Sequence, residues 1–150
     1  MWLDITNKPF EPTPEQLTPA CVGFVYLITN LVTGRKYVGK KLFWSTRRKA
    51  VKGKTRKKKF KLESDWREYY GSNGTLNQDV AELGAANFKR QILHICTSKS
   101  ECSYFELKEQ ITRSAIISTE YYNDLIWVRI NRKHLTKLQF GNEIRNLLTT

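Results

Sequence analysis

Residues 24–39 read Phe-Val-Tyr-Leu-Ile-Thr-Asn-Leu-Val-Thr-Gly-Arg-Lys-Tyr-Val-Gly. Residues 24–28 and 36–39 are two runs of aromatic and β-branched residues, each carrying one tyrosine, Tyr26 and Tyr37. Between them, residues 30–34 hold Asn30 and Gly34 as turn formers. Such runs across a short linker predict an antiparallel hairpin. Val25 and Ile28 suit plain sheet core. Gly39 at the end of the second run does not, because a missing side chain there lets another backbone or a ligand come close.

Working outward, 150 residues suit one domain with a modest core. No apolar run approaches the roughly 18 residues that span a membrane, and no secretory pattern opens the chain. Cys21, Cys96 and Cys102 form no Cys-x-x-Cys pair, which argues against a disulfide framework or a zinc knuckle and for a reducing cytoplasm. The net charge is +12, and it is unevenly placed: residues 35–61 hold 14 Lys and Arg, while residues 16–62 hold no Asp or Glu. A cationic block of this purity points to a polyanion, most simply nucleic acid.

Residues 1–20 contain all four prolines and read as an extended arm, a packing strap pinned by Trp2, Leu3 and Phe10. Ser45 or Thr46 is placed to cap a short helix carrying Arg47 and Arg48. Residues 52–61 have one apolar residue, Phe60, and predict a mobile loop, so the cationic segment as a whole is a basic loop over 47–61. A short helical piece around Trp66 ends at Gly71. Leu76, Val80 and Leu83 predict a helix over 75–83 with Gly84 as its stop. Residues 87–96 predict a third strand, although Phe88, Ile92 and Ile95 do not alternate cleanly. Ser98 and Glu101 form a capping box opening a helix to about Ile117. On it Glu106 shares a track with Cys102, Glu109 and Gln110 and borders the core, whereas Glu101 and Glu109 read as ordinary surface acids. A strand over 124–132 and a helical tail over 133–150 complete the expectation.

These residues, in this order, resemble the GIY-YIG nuclease family in its phage homing-endonuclease form. Val25-Tyr26 and Tyr37-Val38-Gly39 stand for the paired motif, with ten residues between the tyrosines and Phe24 in the place of the first glycine. Lys40 follows the second half directly. Arg47 fills the arginine position, with Arg48 its competitor, and Val51 stands where the family often has Tyr or His. Trp66-x-x-Tyr69-Tyr70-Gly71-Ser72 and Gly84-x-x-Asn87-Phe88-x-x-x-Ile92-Leu93 resemble elements of the phage members. Glu106 takes the place of the metal-binding glutamate. Asn123, 17 residues on, takes that of the asparagine, with Asn131 as runner-up.

The resemblance implies an α/β (α+β) fold, a central three-stranded antiparallel sheet flanked by helices over residues 21–132. It implies a divalent-metal-dependent DNA endonuclease, with Mg²⁺ at Glu106 and Mn²⁺ able to substitute. The catalytic set would be Tyr26, Tyr37, Lys40, Arg47, Glu106 and Asn123. Tyr26 is assigned as general base and Tyr37 as positioner, with the reverse left open. DNA would be held by Arg48, Lys49, Lys52, Lys54, Arg56, Lys57, Lys58, Lys59 and Lys61, with Ser72 and Asn73. Specificity would come from the basic loop, the arm, a homo-oligomer or a protein partner. The compartment would be the cytoplasm, that of the host cell for a phage-encoded protein.

Hydrolysis of a phosphodiester needs an activated water, charge neutralisation and help for the leaving oxygen. A tyrosine is a poor base at its ordinary pKa of about 10. Lys40, Arg47 and a divalent ion would lower that value by favouring phenolate. One carboxylate suits magnesium, which keeps most of its waters. His94 and His134 are too far apart to argue for zinc. The alternative is a non-catalytic basic nucleic-acid-binding protein on the same scaffold, which has no need of Glu106 beside two tyrosines.

Overall fold

The computed structural model describes residues 1–135, so the expected tail lies outside the described residues from 136 on. In chain order the elements are β1 (Gly23–Asn30), β2 (Lys36–Leu42), β3 (Trp44–Lys49), β4 (Lys58–Glu63), α1 (Gly74–Leu83), β5 (Phe88–Cys96), α2 (Lys99–Thr112) and a last turn α3 (Arg132–Leu135). The strands β2-β1-β5 make a three-stranded antiparallel sheet, and β3 and β4 pair separately. The fold is α+β, as the sequence implied.

Both halves of residues 24–39 are strands and pair as a hairpin, Tyr26 opposite Gly39 and Ile28 opposite Tyr37. Asn30 shapes the turn by accepting from the amides of Val32 and Thr33. β1 is the central strand and is buried almost throughout, which is why it reads as a near-continuous apolar run. Its two faces serve two cores. Phe24, Tyr26 and Ile28 join Trp2, Phe43, Trp66, Leu76, Phe88 and Ile92. Val25 and Leu27 join Val38, Cys96, Cys102 and Phe105 under α2.

The uneven pattern of the third strand has a physical cause. Tyr26 pairs with Ile92 but Val25 pairs with His94, so Leu93 is an extra residue, a β-bulge. Phe88, Arg90 and Ile92 therefore face one core, and after the bulge His94 and Cys96 face the other.

The amino-terminal arm is a component of the first core. Leu3 exchanges backbone hydrogen bonds with Arg90 and Ile92 along the outer edge of β5, both at 2.8 Å. Trp2 is buried against Phe24 and Tyr26, and its indole N–H donates to the Trp66 carbonyl at 2.8 Å.

Five expectations are corrected. Residues 45–51 are not a helix and 52–61 not wholly a loop: Trp44–Lys49 and Lys58–Glu63 are strands. The pairing is set from the base, where Ser64 donates its amide to the Phe43 carbonyl and its hydroxyl to the Leu42 carbonyl. Residues 124–131 form no strand. α2 ends at Thr112 rather than near Ile117, and Glu101 within it is 5% exposed. Its carboxylate accepts from the amide and hydroxyl of Thr97, while Ser98 caps the helix as expected.

Trp2→Ala should lower the unfolding free energy by about 3–5 kcal/mol, the usual cost of emptying a large aromatic site. Ile5→Ala, at a position 67% exposed, should change it by less than about 0.5 kcal/mol. Urea titration followed by fluorescence distinguishes them, and equal effects would show the arm to be detached in solution.

Candidate active site

The outer edge of β2 builds the site. An edge strand presents backbone groups with no sheet partner, and here residues 120–123 cover them. Lys36 donates its amide to the Glu120 carbonyl at 2.8 Å and accepts from the Tyr122 amide at 2.7 Å. Asn123 completes the edge. Its Oδ1 accepts from the Val38 amide at 2.9 Å and its Nδ2 donates to the Val38 carbonyl at 2.8 Å. Tyr122 ties the same segment to α1 by donating its hydroxyl to Asp79 at 2.6 Å.

This closure leaves a cavity of about 320 Å³ at the end of β2, against α2. Tyr37, Lys40, Ser72, Asn73, Glu106 and Asn123 all line it. Six of the site residues named from the sequence thus meet in one place. Lys40 on β2 and Glu106 on α2 form an ion pair at 2.7 Å across the cavity wall, and Lys40 also donates to the Ser103 hydroxyl at 3.2 Å. The Tyr37 hydroxyl shares a hydrogen bond with Ser72 at 3.2 Å.

The loop carrying Ser72 is held from below by a buried arginine. Arg90, 3% exposed, donates to the carbonyls of Arg67 and Tyr69 at 3.0 and 2.8 Å and lies over the Tyr70 ring. Gly71 follows with φ +91°, a conformation that favours glycine, and a Cβ there would crowd the Tyr37 ring. Asn73 caps α1 by accepting from the Leu76 amide, and it donates to the Tyr122 carbonyl.

Several expected residues take other places. Tyr26 is 1% exposed and does not line the cavity. Its ring lies directly over Gly39, with its hydroxyl where a Cβ would stand. What comes close to that glycine is therefore neither backbone nor ligand but the first tyrosine. Burial holds the Tyr26 phenol well above its ordinary pKa, and neighbouring Tyr37 and Tyr69 push the same way. Tyr37 is also raised, mainly by burial, with Ser72 opposing and Tyr69, Glu106 and Asp124 adding to the shift. Neither Lys40 nor Arg47 is among the groups that shift either phenol. Arg47 lies outside the cavity on β3, and the charge of Lys40 is matched by Glu106. Both phenols thus carry their protons at neutral pH.

Arg47 lines a neighbouring groove with Lys40, Lys41 and Lys99, so Lys40 belongs to both spaces. Arg48, Lys49, Lys58, Lys59 and Lys61 stand exposed on β3 and β4, and Lys52, Lys54, Arg56 and Lys57 on the turn between them. Glu109 is not an ordinary surface acid: it binds His94 and Arg113, each at 2.8 Å, and the His94 ring stacks on Phe105. Burial raises the Glu109 carboxyl, but those two partners outweigh it and hold it below its ordinary value.

Sequence reasoning missed Ser103, Gln110, Asp124 and Trp127 in the cavity wall. Ser103 and Gln110 lie three before and four after Glu106, the same helix face, so that signal was present. Asp124 is the neighbour of Asn123. Trp127 carried no signal; it is 86% exposed.

Among the described residues no cluster of three or more His, Cys, Asp or Glu is placed to hold a metal. The oxygen donors facing this cavity, the carboxylates of Glu106 and Asp124, are the hard type that magnesium takes along with its waters.

The cavity brings together Tyr37, Lys40, Glu106 and Asn123, four of the six residues to which the resemblance gave a catalytic part. The family model described as "Putative endonuclease segE, GIY-YIG domain" matches residues 2–126, and the chain belongs to that family. It is similar to the putative endonuclease segE of Enterobacteria phage T4, 34% identical over 101 residues. That stretch is 67% of this chain and 39% of the phage protein, so the chain spans well under half of that relative's length. No solved structure matches the chain.

Gly39→Ala should destabilise the domain by about 1–3 kcal/mol, the usual cost of overpacking, because its Cβ meets the Tyr26 ring and hydroxyl. Combined with Tyr26→Phe, which removes the nearest atom, the cost should fall by at least about 0.5 kcal/mol. A double-mutant cycle in urea measures the coupling, and strict additivity would rule the contact out.

Proposed function

We propose that this protein is a divalent-metal-dependent endonuclease that hydrolyses phosphodiester bonds in DNA, of the phage homing type and acting in the host cytoplasm. The observation that supports it most is the Lys40–Glu106 pair facing Tyr37 in one cavity. Beside that cavity lies a strongly cationic surface. Family membership and the phage relative add support for nuclease chemistry. Among the described residues no helix is long and apolar enough to cross a membrane.

Glu106, with Asp124 lining the same cavity, would hold a divalent ion, Mg²⁺ or in its place Mn²⁺. Such an ion, when bound, neutralises phosphate charge and acidifies a water. The chain's own groups do the rest. Lys40 binds a non-bridging phosphate oxygen through the same Nζ that now holds Glu106. Tyr37, on the same strand and lining the same cavity, meets the scissile phosphate too. Its hydroxyl, anchored by Ser72, would donate to a phosphate oxygen, or, once a nearby cation favours phenolate and its proton has gone to solvent, would take the proton of the attacking water. In this proposal Tyr37, rather than Tyr26, is the phenol that meets substrate. Tyr26 acts through it, packing beneath it against Gly39. Asn123 positions β2 through Val38 rather than touching DNA. Arg47 contacts DNA next to the cavity.

Single-turnover cleavage by Tyr37→Phe should be slower by about 10²-fold or more, the usual scale for a lost acid–base group. Tyr26→Phe should cost less than tenfold. The reverse ranking would return Tyr26 to the chemistry.

Plasmid nicking with and without Mg²⁺ tests the activity itself. Glu106→Gln should bind DNA at least as tightly as wild type, since a negative charge beside phosphate is gone, melt similarly, and cut at no Mg²⁺ or Mn²⁺ concentration. Glu109→Gln should cut, because its partners are His94 and Arg113 rather than the cavity. It should also melt lower than wild type above about pH 4.5, the ordinary value of that carboxyl, and converge with it in acid. The sign follows from the depressed value: the stabilisation is present above the unfolded pKa and lost as pH falls through the folded one. An intact plasmid under all conditions would leave the non-catalytic nucleic-acid-binding reading.

A further inference from the structure

Ten Lys and Arg stand in residues 44–63 against one acid, Glu63. Six of the ten, Arg47, Arg48, Lys49, Lys58, Lys59 and Lys61, stand on a two-stranded antiparallel ribbon with both faces open to solvent beyond its root, and the other four on the turn that joins its strands. Like charges sit directly opposite each other, Arg48 against Lys59 and Lys49 against Lys58. Such pairs destabilise a ladder, and an isolated hairpin is at best marginal in water. The ribbon is held at its root instead. Phe43 is fully buried, Ser64 bonds back to Phe43 and Leu42, and the Trp44 indole donates to the Cys21 carbonyl at 2.9 Å. A rigid root with a self-repelling shaft suits a ribbon whose charges a polyanion neutralises.

The two faces differ. Thr46 and Arg48 share one with Lys59 and Lys61. Ser45, Arg47 and Lys49 share the other with Lys58, Phe60 and Leu62. Phe60 and Leu62 are 37% and 45% exposed, apolar groups that a purely phosphate-binding surface has no use for. Ser45 and Arg47 of that face, with Thr46 of the other, line the groove leading to Lys40, the residue shared with the cavity.

We propose that the β3–β4 ribbon lies in the major groove of duplex DNA, with the Ser45–Arg47–Phe60 face on the base edges and the opposite face outward toward phosphate. This rests on the DNA-endonuclease reading above and extends it to how sequence is recognised. Width decides the groove: a two-stranded ribbon fits the major groove, about 12 Å wide, but not the minor groove of about 6 Å. Chemistry assigns the face. An arginine fork matches the O6 and N7 acceptors of guanine, and an apolar side chain matches the thymine methyl. The groove past Lys41 and Lys40 then delivers the adjoining backbone to Glu106 and Tyr37.

The test uses the full chain carrying Glu106→Gln, which binds without cutting, and a pool of randomised duplexes. Binding and sequencing should enrich duplexes with shared bases at a few positions. Remaking an enriched duplex with 7-deazapurines, which lack the N7 acceptor and leave the minor groove unchanged, should weaken binding roughly tenfold. Adding Arg47→Ala should erase the preference at one or two positions, while adding Arg48→Ala should weaken all duplexes alike. No enrichment, unchanged affinity for the 7-deazapurine duplex, or an intact preference in the Arg47→Ala protein would each overturn the major-groove placement while leaving DNA cleavage standing. Failure to bind any duplex would overturn the endonuclease reading, and the ribbon's role with it.

Discussion

The outer edge of β2 is the constraint on which the rest depends. Its backbone groups have no strand to pair with, and leaving them buried and unpaired would cost free energy comparable to lost hydrogen bonds. Residues 120–123 meet that need, and the side chain of Asn123 substitutes for a strand at Val38. Because the same segment ties to α1 through Tyr122 and Asp79, closing the edge also sets the wall of the cavity. Lys40, two residues past Val38, is then aimed at α2, where Glu106 meets it.

Two packing layers keep that geometry stiff. Above the sheet, Trp2, Trp66, Phe24 and Phe43 form a contiguous aromatic group with centroid separations near 5 to 6 Å, in the edge-on and tilted arrangements aromatic rings favour. Arg90 threads this layer, between the Trp2 and Tyr70 rings, and satisfies carbonyls of the loop that carries Ser72. Below the sheet, the His94–Glu109–Arg113 bonds fasten α2 to β5. The side chains lining the cavity therefore sit on rigid elements, while the cationic ribbon projects from a buried root. The cavity and the ribbon are mechanically separate parts of one domain.

Much of this was legible in local sequence. The hairpin, the cap at Ser98, the stop at Gly84 and the border position of Glu106 each follow from turn chemistry, capping or helical spacing, which act over a few residues. The misread segments share a different cause. Trp44–Lys49 lacks the alternation of a half-buried strand because neither face of the ribbon is covered, and its pairing is imposed by the buried root at Phe43 and Ser64. Glu101 and Glu109 looked like surface acids because their partners, Thr97 and His94, are brought to them by the helix start and by β5. The bulge at Leu93 disguised the third strand by reversing its faces midway.

By itself, then, the sequence determined the central hairpin, the third strand, the two helices around them, the strongly basic charge, and, through the family resemblance, a set of site candidates that includes Tyr37, Lys40, Glu106 and Asn123. It could do so because charge content, capping and periodicity are local properties. Only the tertiary structure decided which of those residues share a cavity. Tyr37 reaches it and Tyr26 does not, since adjacent strands place the first phenol over Gly39 and under its neighbour. Asn123 became an edge clamp and Arg47 part of a projecting ribbon for the same reason. Each of those outcomes depends on a backbone partner far away in the chain, and no local pattern records such a partner.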